Sequence, residues 1–193
     1  CLEEMFSNEE MQKAVAAYYG MTTFVDSQIG IVLEALKKAG LEDSTRILYT
    51  DDHGDSVGDH GLFFKHTMYE GSVGIPMIMA GPDLPKGTVV DTCVSLLDVF
   101  PTVLDNFGIE PMEEDRKLPG KSLFQIIEGD PAERPIFAES HCIGFNDSVF
   151  MLRYRQYKYI NYAGGYEPQL FDLAADPHEC HDLAADLEYQ EVR

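Results

Sequence analysis

The sequence is poor in basic residues, with 14 Lys and Arg against 34 Asp and Glu, and its formal net charge is −20 over 193 residues. A surface this acidic repels nucleic-acid phosphates and anionic lipid head groups, which argues against binding either by charge. The sequence also lacks an apolar run long enough to span a bilayer, and no signal peptide is recognisable. We therefore expect no nucleic-acid partner and no membrane partner.

Several metal-site patterns are also missing. The four cysteines (Cys1, Cys93, Cys142 and Cys180) form no C-x-x-C pair, which argues against a compact zinc site. We expect reduced thiols, and the compartment stays open between cytoplasm and periplasm. No H-E-x-x-H is present, so a zincin is excluded. An EF-hand loop starting at Asp51 is excluded too, because Ser56 and Leu62 stand where Gly and Glu are required.

The first two thirds of the chain have the pattern of a layered α/β sheet. Ser7 and Glu10 form a capping-box pattern, and helical spacing of apolar residues continues to Gly40. Further elements are predicted in this order: strand 46–50, strand 75–80, helix 94–107 and helix 121–128. Helices alternating with buried strands are typical of α/β architecture.

The pattern changes near Pro135 to short β-rich runs separated by turn residues. These runs are 136–139, 148–155, 157–162 and 169–173, and an acidic helix is predicted over 183–192. We therefore predict two parts, residues 1–134 in an α/β domain and residues 135–193 in a small antiparallel sheet with a terminal helix. Tyrosines 154, 157, 159, 162 and 166 are interpreted as packing on half-buried strands rather than lining a pocket.

The polar segment from Thr50 to Lys65 directly follows the first predicted strand and is rich in carboxylates, imidazoles and glycines. In α/β sheets, sites form where loops leave the carboxyl ends of strands. Adjacent residues there point to opposite sides, so Asp51 and Asp52 are not expected to act together. Asp52 and His53 are candidates to share one divalent ion. A solvated turn is the alternative.

Several motifs along the chain together resemble the second half of type I sulfatases, in the alkaline phosphatase superfamily. They are residues 50–65, 69–71, 75–82, 17–21 with 25–26 and 29–30, the D-x-x-P-T of 98–102, and 169–173 with 176–177. The likeness covers nearly the whole chain and is greatest to choline-sulfatase-like enzymes and phosphonate monoester hydrolases. It implies the C-terminal part of an alkaline-phosphatase-like three-layer α/β sandwich, with a small antiparallel sheet and terminal helix. The implied function is that of a sulfuric ester hydrolase.

The resemblance also assigns roles to residues. Asp52 and His53 correspond to metal ligands, and Lys65 to the lysine that binds the sulfate group and acts in catalysis. His60 is a further catalytic candidate that would hydrogen-bond the ester or leaving oxygen, and bracing of its own turn is the alternative. Asp51 replaces the small hydroxyl residue usual at its position, and it either tunes the charge of the site or lies outside it.

The cofactors implied are a divalent metal and a formylglycine nucleophile. The metal usual in this family is Ca²⁺, whereas the imidazole ligand of His53 favours Mn²⁺. The nucleophile forms in a C-x-P-S-R-like motif, which surrounds none of the four cysteines, and the two N-terminal aspartates of the metal shell are also missing.

The chain begins at Cys1 without a Met. We therefore expect a C-terminal piece, and because the nucleophile motif is absent we expect it to be inactive alone. Its expected partners are a small-molecule sulfate ester and the missing N-terminal half or a second copy. The alternatives are a phosphonate or phosphate ester hydrolase and a non-catalytic fragment that docks on a partner.

A second polar cluster, Asp176 to Asp182, contains His178, Cys180 and His181 and looks like a metal site. Because it matches the closing turn of the family, a structural role is favoured. His66 and His141 receive no role.

Overall fold

The computed structural model describes residues 7–129, 134–141 and 147–192. The chain divides into two compact units, one ending at Gly87 and the other beginning at Thr88. The boundary predicted between residues 134 and 135 lies within the second unit, just before its sheet, and stays a prediction. Within the described ranges, Cys93 and Cys180 are free thiols, and no helix is long and apolar enough to cross a membrane. Cys1 and Cys142 lie outside those ranges.

The first unit begins with a 31-residue helix, α1 (Asn8–Lys38). Oγ of Ser7 accepts a hydrogen bond from the amide of Glu10 at 3.4 Å, and Oε2 of Glu10 accepts one from the amide of Ser7 at 2.8 Å. These bonds close the predicted capping box, and the Ser7 donors lower the pKa of Glu10. Gly40, with φ of 68°, follows the helix end, where a left-handed residue is favoured. The predicted helix is thus confirmed.

No residue of α1 is buried within the chain. Five of its large apolar side chains have more than half of their area in solvent: Tyr19, Met21, Phe24, Ile31 and Val32. Exposed apolar side chains in this number are typical of a surface that another element covers.

Two short strands, β1 (Ile47–Thr50) and β2 (Met77–Ala80), pair antiparallel, with Ile47 opposite Ala80 and Thr50 opposite Met77. Both strands were predicted. The site was predicted for an open sheet in which loops leave the carboxyl ends of neighbouring strands at the same edge. In the structure the two strands are antiparallel, so the carboxyl end of β1 lies beside the amino end of β2. A helical turn before β2, α2 (Glu70–Val73), was not predicted, because four residues give no periodic pattern.

The helices of the second unit are α3 (Val99–Asn106), preceded by a 3₁₀ turn at Leu96–Asp98, and α4 (Leu123–Ile127). They are joined through Asp98, which is fully buried. Its carboxylate accepts from the amides of Ser95 and Lys121, each at 2.8 Å, and pairs with the Arg134 guanidinium. A buried carboxylate with this many donors is well satisfied.

Thr102, the last residue of the D-x-x-P-T motif, completes this connection. Its Oγ1 donates to the carbonyl of Asp98 at 2.6 Å and accepts from the amide of Leu123 at 2.9 Å. The motif is therefore explained by helix packing.

A four-stranded antiparallel sheet follows in the order β3 (Ile136–Ser140), β4 (Val149–Tyr154), β5 (Tyr157–Tyr162) and β6 (Gln169–Asp172). The four predicted strands are confirmed. Its core contains Met151 opposite Ile160, with Leu170 and Phe171 of β6, all nearly inaccessible to solvent.

The terminal helix predicted over residues 183–192 is wrong, because this segment contains a single 3₁₀ turn, Leu187–Tyr189. The amide of Leu183 donates to the carbonyl of Leu170 at 2.8 Å. Asp182 Oδ1 accepts from the amides of Leu170 and Ala184, at 3.0 and 2.9 Å. These bonds tie residues 182–184 to β6.

The tyrosines of the sheet contact residues of the neighbouring strand and of nearby turns. Tyr162 donates its hydroxyl to Gln169 at 2.8 Å and lies edge-on to Tyr166, with ring centroids 6.4 Å apart. Tyr157 lies edge-on to Tyr189 at 6.2 Å. These contacts favour the packing interpretation over a pocket.

Candidate active site

Asp52 and His53 lie directly after β1 and place two metal-binding groups close together. Asp52 Oδ2 is 3.6 Å from Nε2 of His53, and the amide of His53 donates to Oδ1 of Asp52 at 3.1 Å. The Asp52 side chain is 85% exposed and that of His53 is 39% exposed. A separation of 3.6 Å lets one divalent ion reach both groups, because metal–ligand distances are about 2.0–2.6 Å.

The proton position on His53 follows from its neighbours. Nδ1 lies 2.9 Å from the carbonyl oxygen of Gly54, which can only accept, so Nδ1 carries the proton. The lone pair is then on Nε2, the atom that faces Asp52. This donor set, one carboxylate and one neutral imidazole, suits a divalent metal.

Lys65 reaches the same point from the other end of the loop, since its Nζ contacts Nε2 of His53. Because an ammonium has no acceptor, it donates to the imidazole lone pair. The structure therefore brings Asp52, His53 and Lys65 together at one exposed place in a chain of net charge −20.

Asp51 has different neighbours from Asp52. Its Oδ2 is 3.5 Å from the hydroxyl of Tyr49. The pKa of Tyr18 in α1 is raised by burial and, to a smaller extent, by the negative charges of Asp55 and Asp51. The carboxylates of Asp51 and Asp52 therefore have different neighbours.

The loop between His53 and Lys65 is closed by nested hydrogen bonds. The amide of Gly58 donates to the carbonyl of Leu62 at 2.7 Å, and the amide of Ser56, a buried residue, donates to Phe64 at 2.9 Å. Asp55 Oδ1 accepts from the amides of Val57 and Phe64, at 2.9 and 3.1 Å. Sequence reasoning missed this role of Asp55, although an Asp at the start of a Gly-containing turn indicates such bonds.

The residues on both sides of Lys65 have an uncommon backbone conformation, and these bonds hold the one before it, Phe64. Phe64 and His66 have φ of 67° and 87°, in the left-handed region that residues other than glycine rarely adopt. Such conformations persist where surrounding bonds fix them, often at functional sites. The direction of Lys65 is thus set by the loop.

The loop is also anchored to α2 through Gly54. The amide of Gly54 donates to the carbonyl of Ser72 at 2.8 Å. A Cβ on Gly54 would lie 2.2 Å from the carbonyl oxygen of Gly71, so no other residue fits there without movement.

His60 lies on the loop but packs on Tyr69 rather than on the other three site residues. The two rings are stacked, with centroids 4.1 Å apart and an interplanar angle of 14°. The backbone of His60 is left-handed, with φ of 54° and ψ of 20°, next to Gly58 and Gly61, whose φ values are 99° and 69°. Sequence reasoning did not identify Tyr69 as the partner.

The second polar cluster is held by structural bonds. Asp176 accepts from the amide of His181 at 2.7 Å, Glu179 is buried against Lys158, and Asp182 binds the backbone of β6. Across the described residues, no group of three or more His, Cys, Asp and Glu side chains is placed to hold a metal ion. The structural interpretation of this turn is therefore favoured.

Two family models match the chain, "Sulfatase" over residues 2–109 and "N-sulphoglucosamine sulphohydrolase, C-terminal" over residues 58–193. The chain belongs to the sulfatase family. Members of this family generally use a divalent metal and formylglycine.

Among similar proteins, arylsulfatase K of Mus musculus is 38% identical over 193 residues, covering 94% of this chain and 34% of that protein. A 2-O GAG sulfatase of known structure is 28% identical with a TM-score of 0.87, covering 97% of this chain and 42% of that one. The phosphonate monoester hydrolase of Agrobacterium radiobacter is 33% identical with a TM-score of 0.78, covering 91% and 38%.

These matches confirm the predicted α/β fold class and the resemblance to type I sulfatases. The chain spans about a third of the length of the curated relatives it matches. The roles of Asp52, His53, His60 and Lys65 stay predictions.

Proposed function

We propose that this chain supplies part of the active site of a sulfuric ester hydrolase. Asp52 and His53 would hold a divalent metal, and Lys65 would bind the sulfate group. The observation that supports this most directly is the convergence of the Asp52 carboxylate, Nε2 of His53 and Nζ of Lys65. An anionic ester needs such a local positive site in a protein of net charge −20.

The chemistry asked of these residues is electrostatic. In the reaction the bond between sulfur and the ester oxygen breaks, and negative charge gathers on the leaving oxygen. A bound divalent ion supplies Lewis acidity toward the ester oxygens. The loop places Lys65 beside this site, and its ammonium stabilises the developing charge. The carboxylate of Asp52 and Nε2 of His53 would both bind the metal ion.

His60 is proposed as a hydrogen-bond donor to the ester or leaving oxygen. Stacking on Tyr69 fixes the plane of its imidazole while leaving the ring nitrogens at the edge. We further propose Ca²⁺ as the metal, with Mn²⁺ as the alternative that an imidazole ligand favours.

The nucleophile is proposed to be a formylglycine on a part of the protein outside this chain, since none of the four cysteines lies in a C-x-P-S-R-like motif. The exposed apolar face of α1 supports the missing N-terminal half as the partner of this chain, with a second copy as the alternative.

The test compares the protein that carries this chain together with its nucleophile segment and three variants, on aryl sulfates. Lys65→Ala should lower kcat by roughly a hundred- to a thousandfold and keep the metal, because one preorganised donor is worth about 2.7–4 kcal/mol. Asp52→Ala should lose metal and activity together. Lys65→Arg should recover little, since a planar fork does not replace a point charge. A Lys65→Ala enzyme with normal kcat and a raised KM would make Lys65 a binding residue only.

A second candidate is a phosphonate or phosphate ester hydrolase with the same site, favoured by the 33% identity to a phosphonate monoester hydrolase. The ratio of kcat/KM on an aryl sulfate and the matching aryl phosphonate decides between the two. The chain alone should hydrolyse neither ester, and metal-dependent turnover by the chain that is lost in Asp52→Ala would contradict this.

A further inference from the structure

We infer that Lys65 and the divalent metal exclude each other at Nε2 of His53, so that Lys65 leaves the imidazole when a metal binds and only then is available to sulfate. This inference rests on the proposed function and concerns the order in which the same site fills.

The argument begins with the single lone pair of His53. The proton on Nδ1 is fixed by the carbonyl of Gly54, 2.9 Å away. Nε2 is therefore the one ring atom that can bind a metal, and Nζ of Lys65 already donates to it. A lone pair accepts one proton donor or one metal ion.

Charge leads to the same conclusion. Asp52 Oδ2 lies 3.6 Å from Nε2 of His53, the atom that Nζ of Lys65 contacts. A dication at this point would repel the ammonium. The two cations are therefore not expected to occupy this position together.

The exchange needs movement of one side chain. The backbone before Lys65 is held through Phe64, whose amide donates to Asp55 and whose carbonyl accepts from Ser56. Lys65 itself is exposed, so its four-carbon chain can turn without displacing the core. Metal binding would thus convert Lys65 from a partner of His53 into a free cation beside the metal.

The test uses this chain, without any assay of activity. Mn²⁺ is titrated at low salt and about pH 8, where an ordinary imidazole is neutral, and paramagnetic broadening of the His53 ring protons is followed by NMR. Lys65→Met should bind Mn²⁺ roughly threefold to tenfold more tightly than the parent chain, because both competition and repulsion are removed. Lys86→Met is the matched control, since it removes the same charge from an exposed lysine of the same unit, and it should leave the affinity unchanged.

The outcomes separate this inference from the function it rests on. Equal affinities for the parent chain and Lys65→Met would overturn the exchange and leave the metal site standing. The absence of His53 broadening in both chains would overturn metal binding by this chain and the exchange with it. Asp52→Ala in the Lys65→Met background should abolish the gain. An equal gain in Mn²⁺ affinity in Lys65→Met and Lys86→Met would show that only the net charge matters, and this would overturn the exchange.

Discussion

Nζ of Lys158 lies 2.7 Å from Oε1 of Glu179, and the two side chains are only 0% and 2% exposed. Lys158 is on the core-facing side of β5, two residues before Ile160, so its charge is in the interior of the sheet. Glu179 comes from the turn after β6 and has a left-handed φ of 55°. The pair therefore fixes the closing turn to the sheet through one buried ionic contact.

Removal of the carboxylate should be costly. Glu179→Ala is expected to lower the free energy of unfolding by about 3–5 kcal/mol, because a buried ammonium loses its counter-charge. Urea unfolding measures this, with the exposed Glu167→Ala as the control. The double variant Lys158→Met with Glu179→Leu should regain most of the loss. A Glu179→Ala chain as stable as the control would show that the pair contributes little.

Gly54 and Gly20 offer a matched pair of substitutions to alanine. At Gly54 the new Cβ would lie 2.2 Å from a backbone oxygen, so we expect a loss of about 1–3 kcal/mol in unfolding free energy and altered NMR signals of His53. At Gly20, inside α1, no atom lies within 4 Å, and alanine should stabilise the helix by roughly 0.5–1 kcal/mol. Effects of the same sign on the unfolding midpoint would contradict the steric argument.

The stack of His60 on Tyr69 predicts a ring-current effect. The ring protons of His60 should resonate upfield of those of an exposed histidine, because they lie over the face of Tyr69 at 4.1 Å. Tyr69→Phe should keep the shift and Tyr69→Leu should remove it, as two-dimensional NMR of this chain would show. In the intact enzyme, kcat is expected to fall in Tyr69→Leu and to stay near normal in Tyr69→Phe. Equal kcat in both variants would leave His60 without a positional role.

Tyr18 should ionise at a higher pH than an exposed tyrosine, since burial, and then the charges of Asp55 and Asp51, raise its pKa. Because the folded state favours the neutral phenol, this contribution to stability is present below the unfolded pKa of about 10 and is lost as the pH rises through the higher folded pKa. Absorbance titration of the chain and of Tyr18→Phe identifies the group by difference. Asp51→Asn should bring the pKa of Tyr18 partway back, and an unchanged titration would remove Asp51 from the causes.

The sequence predicted elements whose signals are local. Ser7 and Glu10 mark the start of α1, and short β-rich runs between turn residues mark the four strands of the sheet. The direction of β2 relative to β1 depends on pairing between distant segments, which periodicity does not report. Periodicity also does not report that the segment after Asp182 is tied to β6, where the amide of Leu183 donates to the carbonyl of Leu170.

The residues of the candidate site could be predicted from the sequence, but most of their contacts could not. Asp52, His53 and Lys65 were named from one segment, and the structure brings them together. His60 stacks on Tyr69 and has a left-handed backbone, and no pattern in the sequence predicts either feature. The partner of Lys158 was also missed, although its core-facing position beside Ile160 could have signalled a buried charge.

The nested hydrogen bonds of the loop also set the order in which it can form. The bond from Gly58 to Leu62 closes the shortest ring, and the bond from Ser56 to Phe64 then encloses it with few added residues. Because the entropy lost on closing a ring grows slowly with its length, each outer bond requires little more once the inner one exists. His53 and Lys65 are the next pair outward, so they meet after the turn between them has closed. The imidazole and the ammonium are thus brought together by local chain folding, with no long-range search.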